Sequence, residues 1–236
     1  MNDSLTEARK MLHKYADLKK AKFLAGFFKT GKGEYGDGDM FIGVTVPNTR
    51  KVAKVFYDLG KEATVDLLQS PIHEERFLAL LILIYQYQKV DDIQKVHIAK
   101  LYLNKLKYVN NWDLVDLSAH KILGPYCKKN NTDILLKLAT SKNFWERRVA
   151  MITCAHFIAQ GESKLALEIA TILKDDAHDL IQKAVGWMLR EIGNRCGQNI
   201  EESFLDKWAV TMPRTMLRYA LEKFPPDRKI HYMGLK

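Results

Sequence analysis

A short pattern returns along this chain at the distance of one helical hairpin. It appears as Glu75-Arg76-Phe77-Leu78-Ala79, as Glu146-Arg147-Arg148-Val149-Ala150, as Gln182-Lys183-Ala184-Val185-Gly186 and, more loosely, in a run ending at Ala220. Trp112-Asp113-Leu114-Val115-Asp116 lies between the first two. Counted on the last residue of each, the spacings are 37, 34, 36 and 34 residues. A period of this length with helical character predicts stacked helix pairs, because one hairpin cannot bury its apolar face alone. At the marker position a small residue lets helices approach. Asp116 stands there where its siblings carry Ala or Gly, and a carboxylate at a crowded position points to function.

The rest of the chain supports helices almost throughout. Leu5, Ala8, Leu12, Tyr15 and Leu18 fall at helical spacing within Ser4–Phe28, enough for one or two helices. The segment from Gly31 to Asp39 holds four glycines and must be a loop. Pro47 predicts a helix start, with the helix running through Tyr57 and Gly60 closing it. Pro71 opens another, reaching about Gln86. Asn111 is a plausible N-cap for a helix carrying Trp112 and Asp116, and Gly124-Pro125 predicts a break. Asn143 caps a helix through Ile158, followed by pairs over 163–173 and 179–192, then 200–210 and 213–224, and a basic tail. Only Met40–Val46 looks strand-like. The expectation is an all-α chain of about a dozen helices, organised as a single domain over residues 1–236.

Composition excludes several classes. No apolar run approaches the ~18 residues of a membrane span, and Met1-Asn2-Asp3-Ser4-Leu5 shows no leader pattern. Cys127, Cys154 and Cys196 are odd in number and widely spaced, as expected for reduced core thiols of a cytoplasmic protein. The seven histidines show no metal-ligand spacing, and His73, His120, His156 and His178 read as surface or core residues. The glycine-rich segment lacks the order of a nucleotide-binding loop and follows a helix. A net charge of +9 suits a polyanionic partner.

Trp112 and Asp116, four residues apart, share one helix face. Arg148 and Trp187 belong to the next two marked helices. By the repeat register Arg147 matches Arg76 and Lys183, which leaves Arg148 as the non-standard residue. Tryptophan faces attract cations, a guanidinium grips phosphate bidentately, and a carboxylate steadies positive charge. DNA carrying a cationic lesion matches all three. Lys183, Arg190, Arg214 and Arg218 fall on marked helices as candidates for phosphate contact. Arg9, Lys10, Lys14, Lys19, Lys20 and Lys22 form either a solvated face or a second phosphate-contacting surface.

Asn111–Asp116 followed by Leu123-Gly124, then Phe144–Ala150, then Ile181–Glu191, together resemble the alkylpurine DNA glycosylases of the AlkD type. The likeness runs over nearly the whole chain. It implies a right-handed superhelical solenoid of HEAT-like helix pairs with a concave basic groove. It implies removal of N3- and N7-alkylated purines from double-stranded DNA without a metal or organic cofactor; the leading expectation is a monomeric, cytoplasmic and nucleoid-associated enzyme. It further implies Asp116 as the catalytic carboxylate, Trp112 and Trp187 as lesion contacts, and Arg148 on the DNA backbone, where the marked-helix positions of Lys183 and Arg190 add two further expected contacts. The chain departs from the family at Asn111, where a second tryptophan is common, and in the glycine-rich segment, near which Phe27 or Phe28 replaces a site-lining aromatic. A non-catalytic DNA-binding repeat protein and a protein-binding scaffold are the alternative expectations.

Overall fold

The computed structural model describes residues 3–235; Met1 and Asn2, which begin the segment inspected for a leader, and Lys236 lie outside them. The described chain is all-α. Its helices are α1 (Asp3–His13), α2 (Leu18–Phe27), α3 (Val46–Val55), α4 (Lys61–Leu68), α5 (His73–Lys89), α6 (Asp92–Asn104), α7 (Trp112–Lys129), α8 (Asp133–Ala139), α9 (Phe144–Thr153), α10 (Ala155–Ile158), α11 (Lys164–Leu173), α12 (Asp179–Arg195), α13 (Gln198–Trp208), α14 (Arg214–Ala220) and α15 (Pro226–Gly234). The expected strand near Met40 is reduced to one isolated bridge, Met40 to Ile72. The chain divides into two compact units, residues 1–118 and 119–236, with the division inside α7.

In the first unit α5 is the central element. Its residues from Phe77 to Ile84 are all buried, so it is apolar on every side and packs against α3, α4 and α6. The Tyr102 hydroxyl of α6 meets Ser118 Oγ at 2.9 Å, and Ser118 in turn donates to the Leu114 carbonyl. Glu74, in the first turn of α5, accepts from the backbone amides of Ile42, Gly43 and Val44, the shortest at 2.7 Å. Gly43 has φ +82°, and a Cβ there would lie 2.0 Å from the Asp17 carbonyl oxygen. Only glycine lets the chain pass between the start of α2 and that carboxylate.

In the second unit α12 takes the central place and packs against α9, α11, α13 and α14. The α12–α14 approach depends on Gly186, where a Cβ would stand 2.3 Å from the Met216 carbonyl oxygen. Two expectations fail here. The chain does not break at Gly124-Pro125, because α7 continues to Lys129 with Pro125 inside it. The proline ring normally clashes with the Cβ of the residue before it, and Gly124 has none. Its bare Cα also lies against His156, where an added Cβ would come within 2.3 Å. The supposed basic tail is the helix α15, whose Tyr232 is fully buried and donates to Asp206.

The structure also corrects the repeat register. Arg76, Arg147 and Gln182 each donate a side-chain N–H to the carbonyl six residues back, those of Ser70, Ser141 and Asp176, at 3.0, 2.9 and 2.9 Å. Each is the fourth helical residue after its cap, namely Ile72, Asn143 or His178. Lys183 is therefore not the partner of Arg147. In α7 the carbonyl of Asn111 receives the Val115 amide, so Asp116 is the fifth residue of its helix. It matches Phe77, Arg148, Lys183 and Arg218 rather than Ala79 and Ala150. Ser118, fully buried, holds the small-residue position. Asp116 is thus an acid in a row whose other members are basic or aromatic.

Gly186→Ala is expected to destabilise the protein by about 1–3 kcal/mol through overpacking against backbone. Gly26→Ala in α2, with open space around its Cα, should be neutral or stabilising by up to ~1 kcal/mol. Thermal and urea unfolding of both variants checks the contrast; equal behaviour would contradict the close approach at α12–α14.

Candidate DNA-lesion site

The first turn of α7 is held by its cap. Asn111 is completely buried; its Oδ1 accepts the Trp112 amide at 2.8 Å and its Nδ2 donates to Asp39 Oδ2 at 3.1 Å. An indole at this position, a donor only, could not accept the Trp112 amide as Asn111 Oδ1 does. Trp112, half-buried, stacks on Phe28 at 5.1 Å and 17°, and Phe27 meets it edge-on at 6.0 Å. Both phenylalanines considered as replacements for the family aromatic therefore touch the tryptophan, Phe28 from the interior and Phe27 from the surface.

Beneath this aromatic layer lies a charge cluster that sequence patterns do not reveal. His73 Nδ1 faces Asp39 Oδ2 at 3.0 Å, and its Nε2 faces Asp113 Oδ2 at 2.8 Å. Arg76 closes on the other Asp39 oxygen. With an acceptor at each ring nitrogen, both must carry hydrogen, so the ring is an imidazolium. Burial alone would lower its pKa; the Asp113 and Asp39 carboxylates outweigh that and raise it to about 9. Burial likewise pushes Asp39 upward, but the hydrogen bond from His73 and the charge of Arg76 bring it below the usual carboxylate range. The ring stacks on Phe41 at 4.5 Å and lies 5.1 Å from Phe28. His73 is thus no ordinary core residue. The one available signal was local: His73-Glu74-Glu75-Arg76 sets a histidine and an arginine three apart at a helix start, whereas Asp39 lies 34 residues earlier, before α3 and α4.

Asp116 lies one turn beyond Trp112 on α7 and is half-buried. The fully buried Tyr102 feels it: burial is the main reason its phenol is raised, and the Asp116 charge adds to that. In the second unit, Lys183, Trp187 and Arg190 sit at four- and three-residue spacing on one face of α12. Lys183 pairs with Asp179 at 2.9 Å, and Arg190 pairs with Glu222 and, at 3.7 Å, with Glu191. Arg148 is only 5 % exposed, and its guanidinium donates to the Leu180 carbonyl in the first turn of α12. Arg147 is committed to Asp176 at 2.6 Å. Among the described residues, no group of three or more His, Cys, Asp or Glu could hold a metal ion, and no helix is long and apolar enough to cross a membrane.

The His73 cluster has a pH signature. Its pKa is higher in the folded chain than the unperturbed 6.5, so the stabilisation is complete below about pH 6.5 and is lost as pH rises through about 9. Unfolding free energy should fall by on the order of 2–3 kcal/mol across that window. In His73→Gln, urea melts at both ends of the window should show that loss absent; an unchanged slope would rule out the imidazolium.

A sequence profile described as "DNA alkylation repair enzyme" matches residues 8–224. Solved structures with similar folds include a predicted DNA alkylation repair enzyme from Enterococcus faecalis, with TM-score 0.67, 17% identity, and 89% of this chain and 97% of that one covered. AlkD2 from Streptococcus mutans aligns with TM-score 0.54 and 18% identity over 89% of this chain and 99% of its own. The smu.31 protein from Streptococcus mutans UA159 aligns with TM-score 0.51 and 18% identity over 94% and 98%. No curated protein matches the chain. At such identities the neighbours bear on the fold alone, whereas the profile spans most of the sequence: the chain belongs to the DNA alkylation repair enzyme family.

Proposed function

We propose that the protein hydrolyses the N-glycosidic bond of purines alkylated at N3 or N7 in duplex DNA, with Asp116 as the catalytic carboxylate. The observation that supports this best is the place of Asp116: one turn past the half-exposed Trp112, an acid in a helical position that is otherwise basic or aromatic. An alkylated purine is already cationic, so its bond to C1′ breaks with both electrons going to the base nitrogen, which leaves as a neutral base. The positive charge moves to the deoxyribose as an oxocarbenium-like species. A fixed carboxylate facing that sugar lowers the barrier by preorganised electrostatics. Water then adds to C1′ and gives up its proton, to Asp116 or to solvent. No acid is required to protonate the leaving group, so neutral lesions should be poor substrates.

Trp112 and Trp187 are assigned to the lesion, where an aromatic face attracts a cationic ring. Arg148, Lys183 and Arg190 are assigned to the DNA backbone. The partners of Lys183 and Arg190, Asp179 and Glu222, are themselves exposed, so phosphate can replace them at little cost. Arg148 differs, because its bond to the Leu180 carbonyl leaves less of the guanidinium for phosphate.

Release of 7-methylguanine from methylated duplex DNA tests the chemistry. Asp116→Asn should slow it by on the order of 100-fold, and equal rates would refute the assignment. Backbone contact is tested by salt titration: Lys183→Ala should reduce the slope of log K against log salt by about 0.9 without changing the melting temperature, whereas Arg148→Ala should lower it.

A further inference from the structure

The glycine-rich segment between α2 and α3 supplies no residue to the proposed chemistry, yet it is tied to α7 at three points. Its own course is fixed first. Gly36 lies against the end of α2, where a Cβ would stand 2.3 Å from the Phe28 carbonyl oxygen. The Asp39 amide donates to the Gly36 carbonyl at 3.0 Å. Met40 is joined to the start of α5 on both sides, donating to the Pro71 carbonyl at 3.2 Å and accepting the His73 amide at 2.8 Å. Asp39 and Phe41 are thereby set beside α5 with little freedom.

From Asp39 two chains of hydrogen bonds lead to the first turn of α7. Asp39 Oδ2 accepts Asn111 Nδ2 at 3.1 Å, and Asn111 holds the Trp112 amide with its side chain and the Val115 amide, at 3.1 Å, with its carbonyl. The same Asp39 oxygen accepts His73 Nδ1, whose Nε2 donates to Asp113 Oδ2, and Asp113 Oδ1 holds the Leu114 amide at 2.8 Å. The third point is made by rings: Phe41 stacks on Phe28 at 5.0 Å and 19°, and Phe28 stacks on Trp112. Docking a helix needs only apolar burial, which is non-directional. Hydrogen bonds weaken steeply with angle, so two chains converging on one turn fix the rotation of α7 about its axis. That rotation decides where Trp112 and, one turn on, Asp116 point. The cap of α9, Asn143, is exposed, whereas Asn111 at the same place in α7 is completely buried and joined to a charge cluster.

We propose that Asp39 is a positioning residue of the glycosylase site, acting through Asn111 and His73 to hold Trp112 and Asp116 at a set angle. The proposal rests on the catalytic reading of Asp116 and gives the glycine-rich segment a role in that reaction. The Asp39 carboxylate is turned to Arg76, His73 and Asn111, so it works through them.

A double-mutant cycle on single-turnover release of 7-methylguanine from methylated duplex DNA tests this. Asp39→Asn should slow release on the order of tenfold, as misplacement of a reacting group does, with the affinity for undamaged duplex unchanged. In an Asp116→Asn background it should cost nothing further, because residues that act as a unit are non-additive. Asn111→Ala cuts one chain and leaves every charge in place. It should slow release less, with the same non-additivity, and it carries the test if Asp39→Asn proves too unstable to assay. Glu75→Gln is the control for stability: it removes a buried carboxylate of α5 that holds Arg9 at 3.0 Å, and it should lower the melting temperature with the rate intact. A rate that falls with stability in Glu75→Gln as well would reduce Asp39 to a structural group. Equal slowing by Asp39→Asn with and without Asp116, or no slowing at all, overturns the positioning role and leaves the glycosylase reading intact. Release by Asp116→Asn at the wild-type rate overturns both.

Discussion

Two carboxylates, both half-buried, and two buried cations meet where the glycine-rich segment, α5 and α7 come together. Asp39 and Asp113 clasp the two nitrogens of His73, and Arg76 balances the second oxygen of Asp39. Isolated, any of these charges would be costly to remove from water; together they are neutral and largely hydrogen-bonded. Loss of one partner leaves an uncompensated charge in the interior, so the cluster acts as a unit. Its position matters more than its strength. Asp113 is the neighbour of Trp112 and shares the first turns of α7 with Asp116, so the cluster fixes where that helix begins and which way it faces.

The segment between α2 and α3 is organised around the same purpose. Glu34 and Asp37 turn back to hold the amides of Gly31 and Gly33, which closes the loop on itself and leads the chain to Asp39. Glu74 then gathers the amides of residues 42–44 at the start of α5. A loop that resembles a phosphate cradle in composition thus uses its amides on the protein's own carboxylates. What it delivers is a charged residue to the cluster and an aromatic one, Phe41, to the stack beneath Trp112.

Much of the architecture was legible because helical periodicity and caps are local properties. The Asn143 cap follows directly from side-chain chemistry within a few residues, its Oδ1 accepting the Trp145 amide. Pro125 was misread because a proline is normally a helix breaker, and only its glycine neighbour and the closeness of His156 explain its accommodation. The register of the repeats was misread for a related reason. Small residues mark close approach, but α7 satisfies that need with Ser118 and α12 with Gly186, one position later than Ala150 in its own helix. The carbonyl-directed bonds of Arg76, Arg147 and Gln182 give the common frame, and no pattern of residue types shows where a side chain points.

From its order of residues alone this chain is committed to helices in tandem pairs, to a cationic surface, and to an acid and an indole one turn apart on α7, because each depends on neighbours in sequence. Tertiary structure decided the rest. It made His73 an imidazolium by bringing carboxylates from positions 39 and 113 to its two nitrogens, it turned Arg148 inward to a backbone carbonyl, and it left the rings of α2 facing water. Those outcomes depend on which distant groups share a low-dielectric interior, and charge and burial there are set by three-dimensional proximity, which spacing along the chain does not encode.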